Sequence, residues 1–438
     1  MTGETIHRDA HPTAAAVIHP FFRSGSGGKR LPNASLEEAI GLAEAIGLDV
    51  RLRTVVTMGN PRPATLLGSG KVAEIGTTLK ELGAEIVVID AALTPGQQRN
   101  LERDWDCKVI DRTGLILEIF GARARTREGR LQVELASLNY QKSRLVRSWT
   151  HLERQRGGFG FMGGPGERQI EADRRMIAER ITRLEKELKG VSRTRTLHRE
   201  SRRRVPFPTV AFVGYTNAGK STLFNRLTAA EVLAKDMLFA TLDPTMRGLT
   251  LPGGERIILS DTVGFVSNLP HDLVAAFAAT LEEVRDADVI LHVRDMAHPD
   301  NDHQKDDVLG ILKQLGLRAE TPVIEVQNKI DLLPYEEKQR LAALAAGATD
   351  VVTVSAATGE GCGDLLTLVG WHLRKAREVC EFRLPSQDGS AIAWLHEHGE
   401  VTARHDEEGM TTIQVALYPA DARRFERRQA DTKLIAAD

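Results

Sequence analysis

A glycine-rich stretch at residues 214–221 fits the pattern G-x-x-x-x-G-K-[ST], between a predicted buried strand at 209–213 and a predicted helix from 221. In that context, backbone N–H groups and the helix N-terminus converge on phosphate oxygens. We expect Lys220 to reach the β- and γ-phosphates of a nucleoside triphosphate and the Ser221 hydroxyl to bind Mg²⁺. The expected phosphate-binding residues are Gly214, Tyr215, Thr216, Asn217, Ala218, Gly219, Lys220, Ser221 and Thr222.

Two later stretches have the residue types that sense a γ-phosphate. Asp261 follows a predicted strand at 257–260, so its carboxylate can hold Mg²⁺ through water and the Gly264 N–H can contact the γ-phosphate. Thr241 and Thr245 both lie where a threonine can engage Mg²⁺ and the γ-phosphate. The expected residues here are Phe239, Ala240, Thr241, Leu242, Asp243, Asp261, Thr262, Val263 and Gly264, with Lys220, Thr241 and Gly264 as the catalytic groups.

A third set of residues predicts which base is bound. Asp331 lies just beyond a predicted strand at 322–326, where its carboxylate can accept hydrogen bonds from guanine N1–H and the 2-amino group. Adenine has neither donor, so Asp331 favours GTP and argues against an ATPase or kinase. The expected base-binding residues are Asn328, Lys329, Ile330, Asp331, Ser355, Ala356 and Ala357, the last three after a strand at 351–354.

The order of these motifs, each at a strand end, predicts a GTPase domain at 206–377 with a mostly parallel, doubly wound sheet. Phe265 follows Gly264, where many signalling GTPases have a glutamine that orients the attacking water. A phenyl ring cannot orient water. We therefore expect slow intrinsic hydrolysis of GTP that a partner accelerates.

The totals describe the rest of the chain. A length of 438 residues predicts about three domains. The three scattered cysteines argue against a disulfide framework or zinc site, and no segment resembles a signal peptide or a membrane span. We expect a cytoplasmic, monomeric protein without stable membrane insertion, and peripheral membrane contact stays open.

Charge is distributed unevenly along the chain. Residues 121–204 contain 22 Lys+Arg and 10 Asp+Glu, a net charge of +12, whereas the whole chain has −2 and the remainder therefore −14. A basic segment of this kind is typical of proteins that bind polyanions.

Domains on both sides of this segment are predicted from periodicity. Residues 1–30 are expected to be disordered, with a helix starting at a Ser35 cap. Alternating helices and strands over 31–120 predict a small α/β domain with a parallel sheet. The glycines at 68–70 precede a helix but lack the full phosphate-loop spacing. Residues 378–438 are expected to form a small α/β tail domain.

The basic segment at 121–205 has two leucine and isoleucine stripes that predict long helices packed antiparallel. A glycine-rich stretch at 157–166 predicts the tip of this hairpin, and a basic linker follows from Arg193 to Arg204. Phe159, Phe161 and Met162 at the tip either fold back on the helix ends or contact unstacked RNA bases.

With these motifs placed, the sequence resembles the HflX family of ribosome-associated GTPases. The resemblance depends on the motifs at 214–221, 239–243 and 261–265, on the hairpin stretch 156–175, and on 112–117 and 269–274. It implies GTP hydrolysis with Mg²⁺, and binding to the large ribosomal subunit and its RNA. The implied activity is the splitting or rescue of stalled ribosomes under stress, with hydrolysis stimulated by the ribosome.

The resemblance also bears on individual residues and on the hairpin tip. It implies Thr241 rather than Thr245 as the second Mg²⁺ ligand, K⁺ beside Asn217, and a tip that approaches the peptidyl-transferase centre. A hydrophobic residue at Phe265 is typical of the family. The alternative function is a GTP-dependent RNA-binding factor in the assembly of ribosomal subunits.

Overall fold

A computed structural model describes residues 12–22, 30–124, 126–155, 165–202, 207–228, 239, 245–267, 283–318, 320–407, 409–418, 421–422, 424–426 and 428–429. For 145–155, 165–170 and 192–202 it describes the backbone alone.

The N-terminal part is a four-stranded parallel sheet in the order β2-β1-β3-β4. Its strands are β1 Ala14–Phe22, β2 Asp49–Met58, β3 Ile86–Ile89 and β4 Lys108–Asp111. Its helices are α1 Pro32–Glu44, α2 Ser69–Leu82, α3 Pro95–Trp105 and α4 Arg112–Arg123. Apolar residues of the strands are buried beneath these helices, as the α/β pattern predicts.

The expectation of disorder through residue 30 is wrong for β1. This strand lies in the middle of the sheet and pairs with both β2 and β3, so its apolar run is buried. Pro20 argues against a strand in the sequence. It is tolerated because it lies beyond Ile18, the last residue paired with β3.

Two helices also differ from the sequence prediction. Helix α1 begins at Pro32 with Leu31 as its N-cap, so Ser35 is not the cap. Proline suits the first helical turn because its missing N–H has no partner there in any case. Helix α4 was not predicted at all. Its N-cap is Asp111, whose side chain accepts a hydrogen bond from Gly114 N at 2.8 Å.

The hairpin consists of α5 Arg127–Gln155 and α6 Pro165–Arg202. Apolar residues of both helices are buried, and Arg180 Nη2 lies 2.7 Å from Glu134 Oε1 across the pair. Two details of the prediction are wrong: Pro165 and Gly166 belong to α6 rather than to the tip, and the expected linker is helical as far as Arg202. Residues 157–164 of the predicted tip lie outside the described residues.

The next part is a six-stranded sheet in the order β10-β9-β8-β5-β7-β6, in which β6 alone is antiparallel to its neighbour. Its strands are β5 Thr209–Gly214, β6 Thr245–Thr250, β7 Arg256–Asp261, β8 Val289–Asp295, β9 Val323–Asn328 and β10 Val351–Thr353. Its described helices are α7 Lys220–Thr228, α8 Asn301–Gln314, α9 Tyr335–Ala346 and α10 Cys362–Lys375.

The C-terminal part is an antiparallel sheet in the order β11-β13-β12. Its strands are β11 Glu378–Pro385, β12 Glu400–Glu407 and β13 Met410–Leu417, with helix α11 Gly389–His398 between β11 and β12. Phe425 and Leu395 are fully buried in its own apolar core. Within the described residues, no helix is long and apolar enough to span a bilayer.

The N-terminal sheet and the six-stranded sheet share one apolar core. Leu115 and Phe120 of α4 are buried in the same cluster as Val213, Phe239 and Phe265. The Phe120 and Phe239 rings meet edge to face, with centroids 4.7 Å apart. The residues around the predicted phosphate site therefore pack directly against the N-terminal part.

Candidate functional site

The predicted phosphate loop at 214–221 lies between β5 and α7, as its motif requires. Gly214 has φ 149° and a Cβ there would lie 2.2 Å from Val293 O; Gly219 has φ 94° and a Cβ there would lie 2.2 Å from Asn328 Nδ2. Only glycine fits both positions. Asn217 between them has φ 60°, a conformation that asparagine tolerates better than most residues.

Lys220 is buried at the start of α7, and its Nζ donates to Tyr215 O at 2.7 Å and to Gly214 O at 3.1 Å. Burial lowers the pKa of its ammonium group to about 8, against the opposing effect of Asp261. A buried cation held inside a loop of backbone N–H groups is suited to bind phosphate oxygens.

The ends of β9 and β10 bring the predicted base-recognition residues to the phosphate loop, which follows β5. Asn328 is buried and joins two segments: its Nδ2 donates to Ala218 O at 2.8 Å, and its Oδ1 accepts from Ala356 N at 2.9 Å. Asp331 Oδ1 accepts from Ser355 Oγ at 2.6 Å. The structure therefore places the predicted residues of β5, β9 and β10 in one site.

The neighbouring residues of this segment have supporting positions. Lys329 has φ 64° and its Nζ lies 2.7 Å from Asp295 Oδ2, which fixes the turn after β9. Ile330 is buried beneath that turn. The turn leads Asp331 to Ser355, so the carboxylate predicted to read the base is held at the edge of the site.

Residues 264–267, here called the switch segment, lie against the phosphate loop. Thr216 N donates to Phe265 O at 2.7 Å and Phe265 N donates to Gly214 O at 3.1 Å, which forms a parallel bridge. A Cβ on Gly264 would lie 2.9 Å from Lys220 Nζ and 2.9 Å from Thr216 Cα. Phe265 is buried in the shared apolar core.

Family models match the chain in four consecutive parts. The N-terminal part of a GTP-binding GTPase matches 33–121, its middle region 123–202, a 50S ribosome-binding GTPase domain 209–329, and the HflX C-terminal domain 340–437. A GTPase HflX of Magnetococcus marinus is 53% identical over 385 residues, 88% of each chain. That of Escherichia coli is 42% identical over 412 residues, 94% of this chain and 95% of the relative.

This chain belongs to the HflX family of GTPases. The resemblance inferred from the motifs is thereby confirmed, as is the α/β architecture with a P-loop GTPase domain. The chain binds guanine nucleotides and hydrolyses GTP. The model matched by the GTPase domain is described as a 50S ribosome-binding GTPase.

Two of the three residues expected to hold Mg²⁺ in this HflX-family GTPase, Ser221 and Asp261, lie together in this structure. Ser221 Oγ donates to Asp261 Oδ2 at 2.7 Å, at the junction of α7 and β7. Hydroxyl and carboxylate oxygens are the ligands that Mg²⁺ prefers, so these residues fit the ion. When bound, the ion neutralises charge on the β- and γ-phosphates. Ser221 would ligate it directly and Asp261 through water.

Part of the predicted HflX switch lies outside the described residues: Ala240, Thr241, Leu242 and Asp243. Their neighbour Phe239 is buried, with φ 57°, against Phe120. Thr245, the other threonine weighed as a Mg²⁺ ligand, begins β6 and pairs with Asp261 in the sheet. Thr262 Oγ1 donates to Phe212 O at 2.5 Å and is thus occupied within the sheet.

Sequence reasoning missed a cluster of polar residues that lies beside the phosphate loop and the switch segment. Arg112, Glu38 and Ser267 form a buried hydrogen-bonded cluster that also includes the Tyr215 hydroxyl. Arg112 stood out in the sequence only as part of a family motif. Its partners are 74 and 155 positions away, so no local pattern could reveal the cluster.

Proposed function

We propose that this HflX-family GTPase binds the large ribosomal subunit and splits or rescues stalled ribosomes, with GTP hydrolysis stimulated by the ribosome. The observation that carries the proposal is the net charge of +12 on residues 121–204, a stretch that includes both long helices, α5 and α6. Ribosomal RNA is the polyanion that such a surface fits. The proposed partner places the protein in the cytoplasm.

The geometry of the hairpin supports this role. Helix α5 has 29 residues, a length of about 44 Å. Exposed basic residues such as Arg174, Arg175, Lys186 and Lys189 line α6. The hairpin base is joined to the N-terminal sheet, so the charged hairpin is carried by the same part of the protein that packs on the switch segment.

Nucleotide state is the proposed control of this arm. The γ-phosphate orders switch residues in P-loop GTPases and hydrolysis releases them. Because the switch segment packs against the N-terminal part, its order sets how that part and the hairpin are held. The glycine-rich tip, which lies outside the described residues, is proposed to approach the peptidyl-transferase centre.

Sedimentation tests the proposal. Purified protein is centrifuged through sucrose gradients with intact ribosomes or large subunits, in GTP, GDP or a non-hydrolysable GTP analogue. We expect co-sedimentation with the large subunit in the analogue and conversion of intact ribosomes to subunits in GTP. Protein that stays at the top of the gradient in every nucleotide overturns the proposal. Binding to precursor subunits alone, without splitting, would instead favour the assembly function.

A further inference from the structure

Many open parallel sheets bind ligands at the point where their strand order reverses, and the N-terminal sheet has such a point. Its strand order reverses between β1 and β3, and such sheets bind ligands beyond the strand carboxyl ends at this point. Here a residue of the GTPase domain is held at that edge. Arg112, directly after β4, donates from Nη2 to Ser267 Oγ at 2.9 Å and to Ser267 O at 3.2 Å. The edge thus binds the switch segment.

Arg112 is fixed firmly enough to hold this segment. Its side chain is 7% exposed and lies between the carboxylates of Asp90 and Glu38. Burial would lower the pKa of the guanidinium group, but these two carboxylates outweigh that effect and raise it above its ordinary value. The group therefore stays charged, with two buried carboxylates as its counter-ions.

The phosphate loop takes part in the same cluster. The Tyr215 hydroxyl accepts from Ser267 N at 2.7 Å and donates to Glu38 Oε2 at 2.5 Å. Tyr215 belongs to the phosphate loop, Ser267 to the switch segment and Glu38 to α1. One hydrogen-bonded cluster thus joins the nucleotide site to the N-terminal part.

The residue before Arg112 joins the hairpin in the same way. Asp111 Oδ1 accepts from Tyr140 Oη of α5 at 2.6 Å, and the other carboxylate oxygen pairs with Arg144. Asp111 is also the N-cap of α4, through Gly114 N. Displacement of α5 therefore acts on the cap of the helix whose first residue is Arg112.

We propose that the Asp111–Arg112 pair is a positioning element that couples the base of the hairpin to the switch segment and thereby sets the preference of this GTPase for GTP over GDP. Gly264 lies against Lys220, yet the γ-phosphate must contact both groups. The switch segment has to withdraw when the triphosphate binds. Any change that loosens Arg112 from Ser267, or Asp111 from the hairpin, then favours GTP.

Two conservative variants test the coupling in the full-length protein without ribosomes. Ser267→Ala removes the hydroxyl that binds Arg112, and Tyr140→Phe removes the hydroxyl that binds Asp111 but keeps the ring that packs on Arg144. Affinities for fluorescent GDP and for a fluorescent non-hydrolysable GTP analogue are measured. We expect each variant to raise the affinity for the analogue relative to GDP by about three- to tenfold, the range of one hydrogen bond.

The double variant and a control complete the test. Because both changes act through one element, the double variant should change the ratio less than the product of the single effects. Arg180→Ala breaks an exposed ion pair with Glu134 in the same hairpin without touching Asp111, and should leave the ratio unchanged.

Three results overturn the coupling: an unchanged ratio in Tyr140→Phe, equal losses of both affinities in either variant, or a change of the same size in Arg180→Ala. This inference rests on the proposed ribosomal function in one respect only: the ribosome is the partner expected to displace the hairpin. Because the assay contains no ribosomes, its failure and a failure to bind ribosomes are separate results.

Discussion

The backbone amide of Thr216 donates a 2.7 Å hydrogen bond to the carbonyl oxygen of Phe265. This bond joins the phosphate loop to the switch segment, and a return bond from Phe265 N to Gly214 O completes the pair. Two of the motifs found in the sequence are thus hydrogen-bonded to each other rather than only facing a shared ligand. The proposed coupling requires triphosphate binding to separate them.

Gly264 should be essential for hydrolysis. A Cβ at this position would lie 2.9 Å from both Lys220 Nζ and Thr216 Cα. We expect Gly264→Ala to lower the GTP hydrolysis rate by about tenfold or more, the scale of losing one positioned donor, with GDP affinity nearly unchanged. Phosphate release and GDP titration measure the two. In Gly248→Ala the new Cβ meets nothing within 4 Å, and wild-type hydrolysis is expected.

Asp331 should determine the choice of base. Asp331→Asn replaces an acceptor-only carboxylate with an amide that also donates, which suits xanthine rather than guanine. Losing charge-assisted bonds costs about 1.5–3 kcal/mol, so GDP affinity should fall about 100-fold while xanthosine diphosphate affinity rises. Competition titrations measure both. Asp364→Asn, an exposed change on α10, serves as the matched control; unchanged guanine selectivity in Asp331→Asn would contradict the assignment.

Potassium should stimulate hydrolysis through Asn217. This residue is exposed in the phosphate loop with φ 60°, a conformation that glycine adopts freely. We expect faster hydrolysis in K⁺ than in Na⁺, and equal rates in Asn217→Gly, which removes the side chain without straining the loop. Hydrolysis at constant ionic strength measures this. A K⁺ effect that survives in the variant excludes Asn217 as the ligand.

Acid should destabilise the GTPase domain partly through His292. Burial of this side chain in β8 lowers its pKa to about 4, from 6.5. The unfolded chain therefore binds one more proton between these values, and stability falls as pH falls through 6.5 towards 4. Between pH 7 and 4.5 this loss is about 2 kcal/mol. The free energy of unfolding, measured with denaturant, should fall by about 2 kcal/mol less in His292→Gln than in the wild type over this pH range. An identical pH dependence in the two proteins would show that His292 does not cause the loss.

The basic face of α6 should contribute to binding of the large subunit. Reversing two exposed charges with Arg174→Glu and Arg175→Glu should weaken binding. The slope of the logarithm of the binding constant against the logarithm of salt concentration should fall by the amount that about one to two phosphate contacts contribute. Binding is measured by sedimentation at two or more salt concentrations. Lys313→Glu with Arg340→Glu makes the same charge change on exposed sites of the GTPase domain and should have little effect. Equal losses in both pairs would show only a net-charge effect.

The motifs of the predicted nucleotide site can be found in the sequence because local rules determine their residues. The positive φ values at Asn217 and Gly219 and the close approach of Val293 to Gly214 restrict residue types within one loop, so the motif is visible in the chain. The strands that end at Asp261, Asn328 and Thr353 follow from short apolar runs. The arrangement of these pieces then follows from the fold class.

Other features could not be read from the chain because they depend on distant partners. The apolar residues of helix α4, at 115–117 and 119–120, are buried in the core that the N-terminal part shares with the GTPase domain. The helix therefore lacks the broad polar face by which an amphipathic helix is recognised in a sequence. The role of Arg112 depends on Glu38 and Ser267, which only tertiary structure brings to it. Strand β1 was hidden by its histidine, its proline and the polar residues around it.

The position of β1 matters for anyone who shortens this chain. The family model for the N-terminal part begins at 33, which invites expression of a protein that starts there. Such a truncation would remove Ala14–Phe22 and leave β2 and β3 without the strand that lies between them. Two exposed, unpaired edges would replace the centre of the sheet, and insoluble protein would be the expected yield.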